Sequence, residues 1–117
     1  MSGTLTPNLA WALLVVAGLL EIVWSVSMKA SDGFTNPLFT TITLVAAGLS
    51  FWFLGLALRQ LPVGTAYAVW TGIGAVGAAV LGIVLFAESL SLVRLGCIAL
   101  IVFGILGLKF LGGGSAA

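Results

Sequence analysis

Histidine is absent from this chain, and cysteine occurs once, at Cys97. Without histidine the usual imidazole-based metal clusters and catalytic constellations have no ligands or bases to draw on. One cysteine allows no intrachain disulfide, and Cys97 lies in an apolar run where a buried thiol usually packs as a small hydrophobe. Charge is almost as scarce: four Lys and Arg and three Asp and Glu make up 6% of 117 residues, for a net charge of +1. There is no basic run, so nucleic-acid binding has no electrostatic footprint. These absences rank enzymatic function below transport. No metal, cofactor or catalytic residue is expected.

What is present is apolar: 62% of the residues are hydrophobic, and the mean hydropathy is +1.32. Seven charged side chains cannot cover the surface of a soluble domain of this length, so lipid is the expected solvent. Four apolar stretches separated by short polar breaks place helices at about 8–29, 37–58, 63–86 and 92–111. Each is roughly 20 residues long, enough to cross a ~30 Å hydrocarbon core. Helices are expected rather than strands because an isolated span must satisfy its own backbone hydrogen bonds. The first run has no Lys or Arg before it and is too long for the core of a cleaved signal. The expectation is an all-α membrane protein, one domain over 1–117, with short loops that make neighbouring helices antiparallel.

The breaks carry matching chemistry. Pro7, Pro37 and Pro62 stand at or just before helix starts, where a missing N–H is harmless. Asn36 can cap the second helix, and Ser89 or Ser91 the fourth. Ser31-Asp32-Gly33 ends the first helix and Gly112-Gly113-Gly114 the fourth, leaving 112–117 as a disordered tail. Arg59 and Lys109 fall on one side of the membrane, Lys29 and Arg94 on the other, so the positive-inside rule does not choose an orientation. Either another factor chooses, or chains insert both ways and pair head to tail.

Glu21 stands near the middle of the first span. An acid there costs about 3 kcal/mol on insertion scales. The nearest cation in sequence, Lys29, is two turns away, near the membrane surface. A carboxyl in apolar surroundings can take up a proton or an organic cation that neutralises it, and two ligands competing for one site is the minimum chemistry of antiport. A protonated Glu bonded to a neighbouring helix is the plainer reading. Gly18, Trp24 and Ser25 share the Glu21 face at i−3, i+3 and i+4, and Leu14, Ala17 and Met28 extend it. Gly18 leaves room beside the carboxylate, and Trp24 offers an indole donor and a π face for a cation, though ordinary packing also accounts for it.

On the third helix Tyr67, Trp70, Thr71 and Gly74 share a face. Tyr67 can donate to a carboxylate and Trp70 can wall a cation pocket, or the group is an aromatic packing stripe. Gly72, Gly74 and Gly77 allow close helix contact and also a bend, so packing and a conformational hinge stand side by side. Ser50 is a weaker candidate, since a membrane Ser often bonds back to its own turn. Trp11 and Trp52 read as lipid-facing or interfacial, Arg59, Arg94 and Lys109 as interface anchors, and Asp32 and Glu88 as solvated loop acids. Gly96 and Gly104 fall on roughly one face of the fourth helix, which suits a dimer contact.

Ala17-Gly18-Leu19-Leu20-Glu21-Ile22-Val23-Trp24, Lys29, Gly33-Phe34 and the run from Leu61 to Gly74 resemble the small multidrug resistance transporters over about Ala10–Leu111. Trp24 and the Trp70-Thr71-Gly72-Ile73-Gly74 run resemble the guanidinium-exporter branch. The quaternary-ammonium branch usually has a smaller residue at the Trp24 position and Ser at that of Thr71. The resemblance implies an antiparallel homodimer in a bacterial inner membrane. Two copies of Glu21 would share one central pocket, with Gly18, Trp24, Ser50, Tyr67 and Trp70 around it and the fourth helix forming much of the dimer contact. It implies exchange of protons for small guanidinium-type cations. A broad quaternary-ammonium exporter is the nearer alternative; a small non-transporting membrane subunit is the more distant one. The 1–7 extension and the Gly-rich tail depart from the compact family pattern.

Overall fold

The computed structural model describes residues 6–111. The expected tail at 112–117, its Gly112-Gly113-Gly114 stop and most of the N-terminal extension lie outside the described residues. Four helices follow in order: α1 Pro7–Ala30, α2 Pro37–Ala57, α3 Val63–Phe86 and α4 Leu92–Phe110. All four are long and apolar enough to cross a membrane.

The helix starts are set by local chemistry. Pro7 and Pro37 occupy first-turn positions, where Thr6 accepts from the Leu9 N–H and Asn36 from those of Leu38 and Phe39. Ser91, not Ser89, caps α4 by accepting from the Arg94 N–H at 3.1 Å. The α1–α2 turn is built on Ser31. Its hydroxyl donates to the Met28 carbonyl at 2.7 Å and accepts from the Phe34 N–H at 3.0 Å. Asp32, Gly33 and Phe34 then run through left-handed backbone.

Helix α1 is the hub. It packs along both α2 and α3, whereas the α4 backbone approaches only α3, within a flat body of 42 × 35 × 16 Å. In lipid the solvent is as apolar as the side chains, so association depends on close packing and small residues. The dry core accordingly joins Ala10, Trp11, Leu14 and Ala17 of α1, Ala57 and Leu61 at the end of α2, and Ala66, Val69 and Trp70 of α3. Trp11, expected at the lipid interface, is instead 8% exposed in this core, with the Lys109 ammonium 4.8 Å from its ring centroid. The Lys109 side chain reaches across from the end of α4 and supplies the polar edge of the ring. Trp52 is 67% exposed, in keeping with a lipid-facing ring.

Helix α4 buries none of its residues. Cys97 is exposed there, which corrects the expectation of a buried thiol: the apolar run around it faces outward.

Candidate functional site

Glu21 lies on the side of α1 that meets α3. A Cβ at Gly74 would collide with the Glu21 carboxyl, so the missing side chain at Gly74 is what admits the acid. One turn on, Gly77 admits Ile22 in the same way. Glu21 Oε1 is buried without a hydrogen-bond partner, and so is the Trp24 indole N–H, one turn along the helix. No salt bridge reaches Glu21 among the described residues; the ion pair there joins Arg94 and Glu88. A buried acceptor and a buried donor, both left open, are costly unless something occupies them.

Gly18 faces α3. A Cβ at Gly18 would meet the Ile73 side chain at 2.8 Å, so the room it leaves is taken by α3 packing. The physical reason is rotation: α3 turns Ile73 toward Gly18 and Gly74 toward Glu21, so the glycine that accommodates the acid comes from the opposite helix.

Ser50 is better placed than its sequence context indicates. It does not bond back to its own turn. Its hydroxyl donates to the Ala17 carbonyl of α1 at 2.7 Å and accepts from the Trp70 indole N–H of α3 at 2.9 Å. One fully buried hydroxyl therefore ties three helices together beneath the site. Trp70 is buried and its N–H is committed to Ser50, leaving its ring as a wall. Ser25 and Thr71 do bond back, to Ile22 at 3.0 Å and to Tyr67 at 2.9 Å.

A residue missed in the sequence joins these pieces. Phe51 lies 6.4 Å from Trp24 and 5.6 Å from Trp70, and Trp70 lies 5.6 Å from Tyr67. The four rings form an arc from α1 across α2 to α3, all tilted at about 50°, a favourable arrangement for aromatic pairs. Only its position next to Ser50 could have signalled Phe51. Tyr67 closes the arc at 57% exposure, and its hydroxyl takes no hydrogen bond among the described residues. Met28, placed on the acid's face by spacing, is exposed, whereas Leu14 and Ala17 are fully buried.

The other glycines divide. Gly72 meets Ile105 and Ile101 of α4, while Gly96 and Gly104 have open space beside them. Glu88 is not simply solvated: it pairs with Arg94 at 3.0 Å, because the α3–α4 turn folds it back against α3.

Comparison with known proteins bears on this geometry. A model of the Small Multidrug Resistance protein family matches residues 9–101. The chain is 55% identical over 101 residues to the guanidinium exporter of Yersinia pseudotuberculosis, covering 86% of this chain and 97% of that one. It is 55% identical over 101 residues to the guanidinium exporter of Escherichia coli K12, with 86% and 96% covered. The guanidinium exporter of Proteus vulgaris is 54% identical over the same length. Four apolar helices of spanning length and a family match over most of the chain make this a multi-pass inner-membrane protein that belongs to the small multidrug resistance family.

Proposed function

We infer that this chain is a proton-coupled antiporter that exports small guanidinium-type cations, working as an antiparallel homodimer with both Glu21 carboxyls in one central pocket. The observation that carries the reading is the Glu21 carboxyl itself, with a buried oxygen that has no partner in a notch left by Gly74. The relatives named guanidinium exporters, at 54–55% identity, support the choice of cation.

The chemistry follows from the residues. A carboxyl in this setting needs either a proton or a cation, and each excludes the other. A planar guanidinium offers paired N–H donors that fit a carboxylate bidentately, which an ammonium does not. The Trp24 ring beside the acid supplies a π face for the same cation. The Ser50 bridge fixes Trp70 as a wall, and Tyr67, exposed in its own chain, is available to the partner's half of the pocket. The two Glu21 groups titrate as a coupled pair.

Helix α4, unburied and open at Gly96 and Gly104, forms the contact between protomers. Exchange between inward-open and outward-open states comes from α3 bending at Gly72, Gly74 and Gly77. Opposed insertion of identical chains supplies the inverted repeat that single-chain transporters build internally.

Reconstituted pure protein should pass a transient current on addition of guanidinium, and acidification should raise the apparent KM for guanidinium because protons occupy the same group. Glu21→Gln should abolish the current. A Glu21→Gln protein that still drives guanidinium against a proton gradient would remove the carboxylate as the shared site. Strictly one-sided labelling of a cysteine placed at a chain terminus would reject opposed insertion.

A further inference from the structure

A second carboxylate lies at the mouth of a cleft whose wall begins one helical turn from Glu21. The cleft holds about 290 Å³ and is lined by Ser25 and Lys29 of α1, Ala78 and Gly82 of α3, Glu88 of the α3–α4 turn and Arg94 at the start of α4. Ser25 is one turn beyond Glu21, and Ala78 one turn beyond Gly74, so the inner wall of the cleft adjoins the notch that holds the acid.

Glu88 is held in that mouth by the backbone. Ala87 ends α3 in left-handed backbone, with φ 55°. This turns the chain so that the Glu88 N–H donates to the Gly82 carbonyl at 3.2 Å. The Glu88 side chain then folds over Gly82, where a Cβ would collide with its carboxylate. What the carboxylate holds is a guanidinium, that of Arg94. The contact is a single one, Nη2 to Oε1 at 3.0 Å, and Oε2 takes no hydrogen bond among the described residues. The two side chains are 32% and 37% exposed. A one-point, partly exposed pair is held weakly, and a carboxylate prefers the two-point fork.

We propose that Glu88 is an outer binding site for the guanidinium-type substrate, normally occupied by the Arg94 side chain, which the incoming cation displaces on its way to Glu21. This rests on the proposed function above and deepens it. Lys29 faces the same cleft, its ammonium 5.8 Å from the Phe86 ring centroid. With Arg94 it gives the mouth two cations against one anion. A displaced Arg94 and Lys29 together repel the newcomer, so it stays briefly and moves inward to the uncompensated carboxyl. A cation that displaces Arg94 must replace its one contact, and a planar guanidinium can add a second to the open Oε2, which ties selection to the planar group rather than to charge alone.

The two partners of the pair have opposite roles here, which sets the test. Guanidinium-evoked currents are titrated in proteoliposomes of wild type, Glu88→Gln and Arg94→Gln, with Glu21→Gln as control. Glu88→Gln removes the station and should raise KM roughly three- to tenfold, with kcat changed less than about twofold. Arg94→Gln removes the competitor and should lower KM. A pair that only braces the hairpin is lost equally in both variants, so KM shifts of the same direction, or none, overturn the proposal. Should a glutamine variant fail to fold, Arg94→Lys keeps the charge but loses the planar head that reaches Oε1; a lowered KM supports the outer site and an unchanged or raised KM overturns it. A wild-type protein that passes no guanidinium current overturns the transport reading as well. A wild-type current abolished by Glu21→Gln, with Glu88 and Arg94 variants that shift together, overturns the outer site alone.

Discussion

Helices α1 and α3 run side by side for their whole length, yet the two ends of the pair differ in kind. At the start, Ala10, Trp11, Leu14 and Ala17 close against Ala66, Val69 and Trp70 with little space between them. Beyond Gly18, α1 presents Glu21, Ser25 and Lys29, and α3 answers with Gly74, Ala78 and Gly82. The first half is packed for contact, and the second holds a notch and a cleft. Small residues have opposite meanings in the two halves. Ala10, Ala17 and Ala66 bring backbones together, whereas Gly74 keeps α3 clear of a carboxyl. Substitutions in the first half should therefore cost stability, and those in the second should cost transport.

The largest effect should come from the second half. Gly74→Leu puts a side chain where the Glu21 carboxyl lies, and the guanidinium current should fall on the order of 100-fold, the loss that follows when a reacting group is displaced by an ångström or so. The folded fraction of the detergent-solubilised protein should fall much less. A Gly74→Leu protein with ordinary current would break the comparison outright.

Next comes the packed half. Leu14 is fully buried, and Leu14→Ala should lower stability by about 2–3 kcal/mol through the cavity it leaves, read by denaturant titration in detergent. Its KM for guanidinium should stay close to wild type. A large KM change with full stability would place the site where the core has been drawn.

Ser50 sits at the boundary and sharpens it. Ser50→Ala removes both the bond to the Ala17 carbonyl and the acceptor for the Trp70 indole. The expected loss is about 1 kcal/mol, the usual scale for interhelical bonds in membranes. Tryptophan emission should shift as the Trp70 N–H loses its partner. Unchanged emission would argue against the bridge.

The smallest effect is at the far end. Lys109→Met removes the ammonium from the Trp11 ring and should cost ~0.5–1 kcal/mol, visible as a small drop in thermal midpoint with transport intact.

The parts legible in the sequence are those decided within a few residues along the chain. The Asn36 cap, Pro7 and Pro37 in first turns, and the Ser31 turn all concern backbone groups at neighbouring positions. Glu21 was legible because the cost of an acid in hydrocarbon is a property of one side chain at one depth. The misplaced residues are those whose roles depend on helix rotation. Trp11, expected at the lipid interface, lies in the core; Gly18, expected to leave room beside the acid, packs against Ile73; Ser50, a weak candidate by its sequence context, joins three helices; and nothing in the sequence singles out Phe51. In a soluble protein an amphipathic stripe would have indicated the inward face. Here every face is apolar, because the outward one meets lipid. Glu88 was missed for a related reason: its pairing with Arg94 depends on a left-handed turn at Ala87 that composition does not announce.

The sequence by itself determined that four apolar segments exchange water for lipid and that one of them carries an acid into it, since transfer costs add along a chain without reference to its neighbours. Only the tertiary structure decided which glycine makes room for that acid, which hydroxyl anchors the aromatic arc, and which arginine fills the outer carboxylate. Those are matters of how identical-looking helices are turned toward one another, and in a uniformly apolar solvent only shape and a few hydrogen bonds set the turn.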